Sequence, residues 1–238
     1  MAEDGVASVW LDRPERGNAL SAAAVASVLA SVTAALDDPA VHTLVLRGRG
    51  RHFCTGFDLS GLEGESDASL QERFEHLERL LQAVWHAPVR TLAFATGRAW
   101  GAGADLFASC DIRACAPDAS FRFPGSAFGI VLGSRRLAEL IGWDRARPLV
   151  TEGATLDAPG ALAASLATDL VTEEAQAWLA ARLSAPVADR ATMAAIRAAC
   201  RPDHRAVDLA TLQASASRPG LRSRIADYRE ALRPRAAG

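Results

Sequence analysis

Two short segments, about 45 residues apart, have small residues at the point where the chain leaves an apolar strand. They are residues 53–59 (FCTGFDL) and residues 97–105 (GRAWGAGAD). A turn without bulky side chains can present a bare backbone N–H to a ligand. Two such N–H groups that converge on one point form an oxyanion hole, which stabilises the negative oxygen that develops in acyl and thioester chemistry.

The two segments resemble the signature of the crotonase superfamily, the enoyl-CoA hydratase/isomerase group, and the similarity covers most of the chain. The family's first strand and turn resemble residues 11–14 and 18–20. Its loop after the fifth strand resembles Pro124, Gly129-Ile130 and Gly133, and its middle helices resemble residues 136–153. The resemblance implies an α/β fold with a crotonase-like ββα spiral core over residues 1–172. It also implies a C-terminal helical annex over residues 173–238, which packs at a trimer interface and helps to cover the acyl site.

The resemblance assigns two N–H donors and one acid. The first donor follows the glycine of the first segment and is Phe57, and the second is the middle of three glycine-like positions, Ala102. Asp105 stands where the family has a glutamate that acts as general acid or base. A carboxyl group facing an apolar pocket has a raised pKa, which suits proton transfer near neutral pH. The alternative for Asp105 is a residue that only favours the helix dipole.

One position departs from the family pattern. Hydratases of the family place a second glutamate after the proline that follows the strand at residues 120–123, whereas this chain has Gly125 after Pro124. A hydratase uses two carboxylates to hold one water, and single-acid isomerases of the family usually keep the acid that is absent here. Three hypotheses follow: an enoyl-CoA hydratase or isomerase with Asp105 as sole acid/base; another crotonase reaction, such as thioester hydrolysis, decarboxylation or C–C cleavage; or a non-catalytic acyl-CoA-binding homologue.

The resemblance further implies a coenzyme A thioester as substrate and no permanently bound cofactor. Arg16 and Gly17 lie in the loop where the family binds the adenine and phosphates, with a solvated loop charge as the alternative for Arg16. Thr55, Asp58 and Leu59 should line the path of the pantetheine arm. The other predicted substrate contacts are Trp100, Gly101, Pro124 and Gly125. The family forms homotrimers or hexamers (dimers of trimers), and the sequence does not choose between them.

Periodicity predicts the elements that position these residues. Apolar, β-rich runs predict strands at residues 6–11, 41–46, 90–96, 111–115 and 120–123. Helical spacing predicts helices at residues 21–36 and 68–86, and a further helix that carries Asp105 after a glycine turn. Strands that alternate with helices imply parallel pairing. Four more helices are predicted at residues 173–183, 188–199, 205–216 and 221–232.

Composition narrows the class of protein. The 238 residues carry a net charge of −2, which does not favour nucleic acid or an anionic membrane surface as a partner. No apolar run approaches the roughly 20 residues of a membrane helix, and acids near the N-terminus do not resemble a secretion signal. The four cysteines form no Cys-x-x-Cys pair and the five histidines are scattered, so we expect no metal site. A cytoplasmic enzyme is therefore the expectation.

Overall fold

The computed structural model describes residues 4–232. Its strands are β1 (Val6–Leu11), β2 (Thr43–Gly48), β3 (Arg90–Ala95), β4 (Arg98–Trp100), β5 (Ile112–Cys115), β6 (Ser120–Arg122), β7 (Thr155–Asp157) and β8 (Asp169–Leu170). Its helices are α1 (Ala22–Asp37), α2 (Asp67–Trp85), α3 (Ala102–Ala108), α4 (Ser134–Ile141), α5 (Trp143–Thr151), α6 (Ala158–Ala163), α7 (Ala175–Leu183), α8 (Arg190–Cys200), α9 (Arg205–Ala216) and α10 (Leu221–Ala231). Short 3₁₀ turns lie at Pro14–Arg16, Leu62–Gly64 and Pro124–Phe128.

The larger of the two sheets holds five parallel strands in the order β1-β2-β3-β5-β8. Its register pairs Val45 with Leu92 and Phe94 with Ala114. Every residue of β3 is buried, as expected for a central parallel strand that is covered on both faces. The predicted parallel pairing is confirmed in this sheet.

The smaller sheet has the order β4-β6-β7, with β4 parallel and β7 antiparallel to β6. The chain therefore passes from the large sheet to the small sheet and then into a helix. It does so first through β3, β4 and α3, and again through β5, β6 and α4. This ββα succession agrees with the predicted α/β spiral fold. The segment predicted as a glycine turn after β3 contains the short strand β4. The strands β7 and β8 were not predicted either, because runs of two or three residues show no periodicity.

The two long helices of the core form where capping and apolar spacing predict them. Ser21 accepts a hydrogen bond from the Ala24 N–H (3.2 Å) at the start of α1, and α1 ends at Asp37, shortly before Pro39. Ser66 and Ser69 form a reciprocal capping box at the start of α2. The buried face of α2 includes Leu70, Phe74, Leu77 and Leu81.

The last helices dock on α2, which brings α10 beside the 3₁₀ turn Pro124–Phe128. Gln213 of α9 donates to the Glu75 carboxylate (3.1 Å), and Gly220 donates its N–H to the Asp67 carboxylate (2.9 Å). All four predicted C-terminal helices are present, with small shifts at their ends. Their docking places one face of α10 against the cavity described below.

Candidate active site

The two segments identified from the sequence lie side by side in the fold. The Cys54 N–H donates to the Arg98 carbonyl (3.0 Å), and the Trp100 N–H donates to the Cys54 carbonyl (2.9 Å). Gly56 follows with φ +96°, and a Cβ added there would lie 2.6 Å from the Trp100 carbonyl oxygen. Because only glycine permits this approach of the two backbones, Gly56 holds the two turns together.

Phe57 and Ala102 follow these turns, and their backbone N–H groups have no acceptor within residues 4–232. The Gly101 N–H, one residue before Ala102, is already used by the Arg122 carbonyl (2.7 Å). Ala102 is the first residue of α3, where an N–H has no partner inside the helix. Both residues line one cavity, so two residues with unpaired backbone donors lie in the same wall.

The cavity has a volume of about 120 Å³ and lies between the two turns, the 3₁₀ turn Pro124–Phe128 and α10. Its wall is mainly apolar, which favours burial of a hydrocarbon group. Nine of the twelve predicted site residues line it: Thr55, Phe57, Leu59, Trp100, Gly101, Ala102, Asp105, Pro124 and Gly125. The two predicted segments and the loop after β6 therefore meet at one place.

Three predicted site residues lie outside the cavity wall. Arg16 is exposed on the first 3₁₀ turn, and Gly17 caps that turn with φ +60°. Asp58 turns its carboxylate to the Arg13 guanidinium (2.9 Å) and the Ser60 hydroxyl (2.6 Å). Burial acts to raise the pKa of Asp58, but the hydrogen bonds from Ser60 and Arg13 outweigh it and lower that pKa. Asp58 thus fixes the local backbone rather than facing the cavity.

Other parts of the cavity wall were missed by sequence reasoning. Phe74 comes from α2, Phe128 and Ile130 from the 3₁₀ turn and the residue pair after it, and Tyr228 from α10. Phe74 was predicted as part of an apolar helix face, which does not distinguish a core residue from a cavity residue. Tyr228 is the one tyrosine of the chain, but no motif marks it, since its position depends on how α10 docks.

Asp105 is the fourth residue of α3, is 7 % exposed and lines the cavity. Within the part of the chain that the structure describes, its carboxylate oxygens accept no hydrogen bond. Burial raises the pKa of the Asp105 carboxyl well above the usual 3.8, while the Arg136 guanidinium acts to lower it and the Glu78 carboxylate to raise it. A buried carboxyl group with a raised pKa can exchange a proton near neutral pH.

Arg136 and Glu78 form a bidentate, buried ion pair that acts on Asp105. Arg136 Nη1 lies 2.9 Å from Glu78 Oε1, and Nη2 lies 2.5 Å from Oε2. Arg136 Nη1 also donates to the Asp208 carboxylate at 2.9 Å. Because two carboxylates already neutralise the guanidinium, its attraction for an ionised Asp105 is weakened, and burial dominates.

Gly133 packs directly against the Asp105 carboxyl group. Its φ is +68°, and a Cβ added there would overlap Asp105 Oδ1. We expect Gly133→Ala to lower the free energy of unfolding by about 1–3 kcal/mol, because alanine is strained at this φ, and to displace Asp105. Gly220→Ala is the matched control, since Gly220 has φ +77° but no atom within 4 Å of the added Cβ. Thermal unfolding and turnover of both variants check this: equal turnover would show that Gly133 does not position Asp105.

Gly125, where the family pattern has a second glutamate, lies close to the backbone of Ile130. Its carbonyl accepts the Ile130 N–H (2.9 Å), and a Cβ at this position would lie 2.8 Å from the Ile130 carbonyl oxygen. A larger side chain at position 125 therefore requires Ile130 to move. Asp105 is the one carboxyl group among the described residues that line the cavity.

One buried thiol, that of Cys54, lies in the first of the two segments. Burial raises the pKa of the Cys54 thiol to about 12, which leaves almost no thiolate near neutral pH. Among residues 4–232, no group of three His, Cys, Asp or Glu side chains is arranged to hold a metal ion. No helix within the same range is long and apolar enough to cross a bilayer.

Comparison with known proteins agrees with this site. The chain matches the family model for enoyl-CoA hydratase/isomerase over residues 1–223. It is 39% identical over 191 residues to the probable enoyl-CoA hydratase echA6 of Mycobacterium tuberculosis, a match that covers 78% of this chain and 76% of that protein. Enoyl-CoA isomerase/hydratase fer4 of Mycosarcoma maydis is 34% identical over 166 residues, which is 65% of this chain and 61% of the relative.

The fold comparison leads to the same group. A crystal structure of a Bordetella parapertussis protein, named for the hydratase/isomerase family, matches this chain with a TM-score of 0.92. The two proteins are 39% identical, and the match covers 98% of each chain. The resemblance and the α/β fold predicted from the sequence are thereby confirmed. This chain belongs to the enoyl-CoA hydratase/isomerase family, whose crotonase-fold members are acyl-CoA-processing enzymes.

Proposed function

We propose that this enzyme moves the double bond of an enoyl-CoA thioester, with two backbone N–H groups on the thioester oxygen and one carboxyl group carrying the proton. The observation that carries this proposal is the cavity wall, in which Asp105 is the one carboxyl group among the described residues. Phe57 and Ala102, whose backbone N–H groups have no acceptor in the described chain, line the same cavity. One carboxyl group suffices for an allylic shift, because it can take the proton from one carbon and return it to another.

The proposed step conserves all atoms of the thioester. The ionised Asp105 carboxylate removes a proton from Cα of a 3-enoyl thioester, and the C–H electron pair moves to form a dienolate with its charge on the thioester oxygen. The Phe57 and Ala102 N–H groups stabilise that oxygen. Protonated Asp105 then returns the proton to Cγ, which leaves the double bond between Cα and Cβ. Burial favours the abstraction, because the neutral carboxyl group is the form that a dry cavity stabilises.

Hydration is the second candidate, because a relative that is 39% identical is named as an enoyl-CoA hydratase. This cavity supports hydration less well than isomerisation. Adding water requires that one group hold the water and accept its proton while another proton reaches the neighbouring carbon. Asp105 can perform only part of this task, and the position of the second acid is occupied by Gly125, close to the backbone of Ile130. Hydrolysis, decarboxylation, C–C cleavage and passive binding are not favoured by the comparisons.

Two thioesters separate these reactions in one optical assay. Isomerisation of a trans-3-hexenoyl-CoA creates a conjugated enoyl thioester and increases its absorbance, whereas hydration of crotonyl-CoA removes the conjugation and decreases it. We expect a clear increase with the first substrate and little change with the second. A decrease with crotonyl-CoA and no increase with the 3-enoyl substrate would replace isomerisation by hydration. Release of free CoA from either thioester would overturn both in favour of hydrolysis.

We also propose that the thioester is bound through its coenzyme A moiety and that no other cofactor is held permanently. Thr55, Leu59 and Trp100 line the cavity, which supports their proposed contact with the pantetheine arm. The Gly17 carbonyl accepts the Thr55 N–H (3.0 Å), which connects the exposed turn that carries Arg16 to the cavity wall. This connection supports a role for Arg16 and Gly17 beside the phosphates, outside the cavity.

We further propose that residues 1–172 form the acyl-CoA site and residues 173–238 cover it and mediate a homotrimer or a dimer of trimers. Tyr228 and Leu232 line the cavity, which supports the covering role. Large apolar side chains of the C-terminal region that are exposed in the single chain, such as Ile196 and Val207, support burial between subunits. The proposed cytoplasmic location rests on the family alone.

A further inference from the structure

One wall of the cavity is a ladder of four aromatic residues from four separate segments. Phe57 and Phe74 stack with ring centroids 4.3 Å apart and planes 11° apart. Phe74 and Phe128 follow at 6.3 Å and 29°, and Phe128 and Tyr228 at 5.1 Å and 46°. All four residues line the cavity. We call them the aromatic ladder; it begins at the residue that offers its N–H and ends on α10.

The faces of the inner rings are already covered by neighbours. The Arg73 guanidinium lies 4.1 Å from the centroid of the Phe57 ring, and Phe74 covers the other face of that ring. Phe74 itself lies between Phe57 and Phe128. With these faces covered, the ring edges of Phe57 and Phe74 are the parts left for contact with a molecule in the cavity. A ring edge carries partial positive charge and prefers the electron-rich face of another aromatic ring over a saturated chain.

The rest of the cavity suits a small uncharged ring. Its volume is about 120 Å³, and an apolar protein cavity of about 150 Å³ is known to hold benzene. Ile130, Leu132 and Val150 supply further apolar surface. Asp105 is the one charged side chain among the described lining residues, so no cation is present to bind a second carboxylate on the acyl group.

We propose that the acyl group of the substrate carries an aryl ring, whose face lies across the edges of the aromatic ladder. This inference rests on the proposed acyl-CoA function and specifies the substrate class of that same cavity. The cavity would then recognise the acyl group by the electrostatics of its ring as well as by apolar burial. It would therefore bind an aryl group more tightly than an alicyclic group of nearly equal size.

Binding of two saturated thioesters, phenylacetyl-CoA and cyclohexylacetyl-CoA, tests the proposal by titration calorimetry. The two groups have almost the same size, but only the phenyl ring has an electron-rich face. We expect the wild-type protein to bind phenylacetyl-CoA about two- to tenfold more tightly, the range expected for one or two edge-to-face contacts. Neither thioester has a double bond, so the result does not depend on which reaction the enzyme performs.

Phe128→Leu and Phe94→Leu form a matched pair of variants. Phe128 is 7 % exposed and belongs to the aromatic ladder, whereas Phe94 is 6 % exposed and packs on Trp178 away from the cavity. We expect Phe128→Leu to reduce the binding ratio toward one and Phe94→Leu to leave it unchanged. Both variants remove the same atoms from buried sites. An effect on binding that came only from reduced stability should therefore appear in both variants.

The outcomes distinguish this inference from the proposed function. Equal binding of the two thioesters by the wild-type protein, or an unchanged ratio in Phe128→Leu, would overturn the aryl assignment while leaving isomerisation in place. A preserved binding preference without turnover of any enoyl-CoA would support the aryl subsite and reject the proposed reaction. Binding of neither thioester would reject both.

Discussion

An Asp105→Asn variant is expected to retain acyl-CoA binding and to lose proton transfer, with a decrease in kcat of about 10²–10⁴-fold. The amide has nearly the shape of the carboxyl group but cannot accept the proton from Cα. Solvent deuterium exchange at Cα of butyryl-CoA, followed by NMR, measures this step directly. The readout needs no assumption about whether the complete reaction is isomerisation or hydration.

The control for this experiment is Asp118→Asn. Asp118 is exposed in the connection between β5 and β6 and does not line the cavity. It should exchange the Cα protons at the wild-type rate, and both variants should bind butyryl-CoA with nearly the wild-type Kd. Wild-type exchange in Asp105→Asn would show that another group moves the proton.

The same substitution should stabilise the folded protein at neutral pH. Burial raises the pKa of Asp105 above 3.8, so the folded chain retains this proton at pH values where the unfolded chain has released it. The stability associated with the protonated form is complete below pH 3.8 and is lost as pH rises through the folded-state pKa. Asparagine has no such loss. We expect the Tm of Asp105→Asn to exceed that of the wild type at pH 7, and the difference to shrink toward pH 4. A difference that is independent of pH would contradict the burial argument.

An Ala102→Pro variant is expected to lower kcat by about 10²–10³-fold while the protein stays folded. Proline removes the backbone N–H that is proposed to bind the thioester oxygen. The fold should tolerate this change, because Ala102 is the first residue of α3, where proline is favoured and the N–H has no acceptor within the described chain. Gly101 also lacks the Cβ that clashes with a following proline ring.

Ala22→Pro is the matched control, since Ala22 is the first residue of α1 and lies on the surface. Circular dichroism should give folded spectra for both variants, and only Ala102→Pro should lose turnover. Loss of turnover in both would indicate a general effect of proline on folding. Turnover at the wild-type rate in Ala102→Pro would remove Ala102 from the proposed oxyanion hole.

Much of the backbone framework could be predicted from local patterns. The alternating run predicted β1, Ser21 and helical spacing predicted α1, and helical spacing alone predicted α2, because these patterns involve residues within a few positions of one another. Glycine spacing predicted the two turns, since a positive φ is a local requirement. The placement of Phe57 and Ala102 in one cavity wall agrees with the motifs, and their catalytic role stays a prediction.

Other features of the site depended on contacts that no local pattern encodes. The aromatic ladder joins Phe74 of α2, Phe128 of a 3₁₀ turn and Tyr228 of α10, which lie far apart in the sequence. Their meeting requires the docking of α9 and α10 on α2. Similarly, Asp58 belongs to the predicted segment, but its salt bridge with Arg13 turns it away from the cavity.

The sequence by itself determined the order of the longer core elements β1, α1, β2, α2 and β3, the parallel pairing of the main sheet and the loss of the second acid at Gly125. These properties depend on residue type and short-range periodicity. Only the tertiary structure decided that, within the described chain, the Phe57 and Ala102 N–H groups stay unpaired and Asp105 is buried without a hydrogen-bond partner. It also decided that aromatic side chains from distant segments line one wall of the cavity. Burial and hydrogen-bond pairing are set by segments that are distant in the chain, and both therefore arise only when those segments pack together.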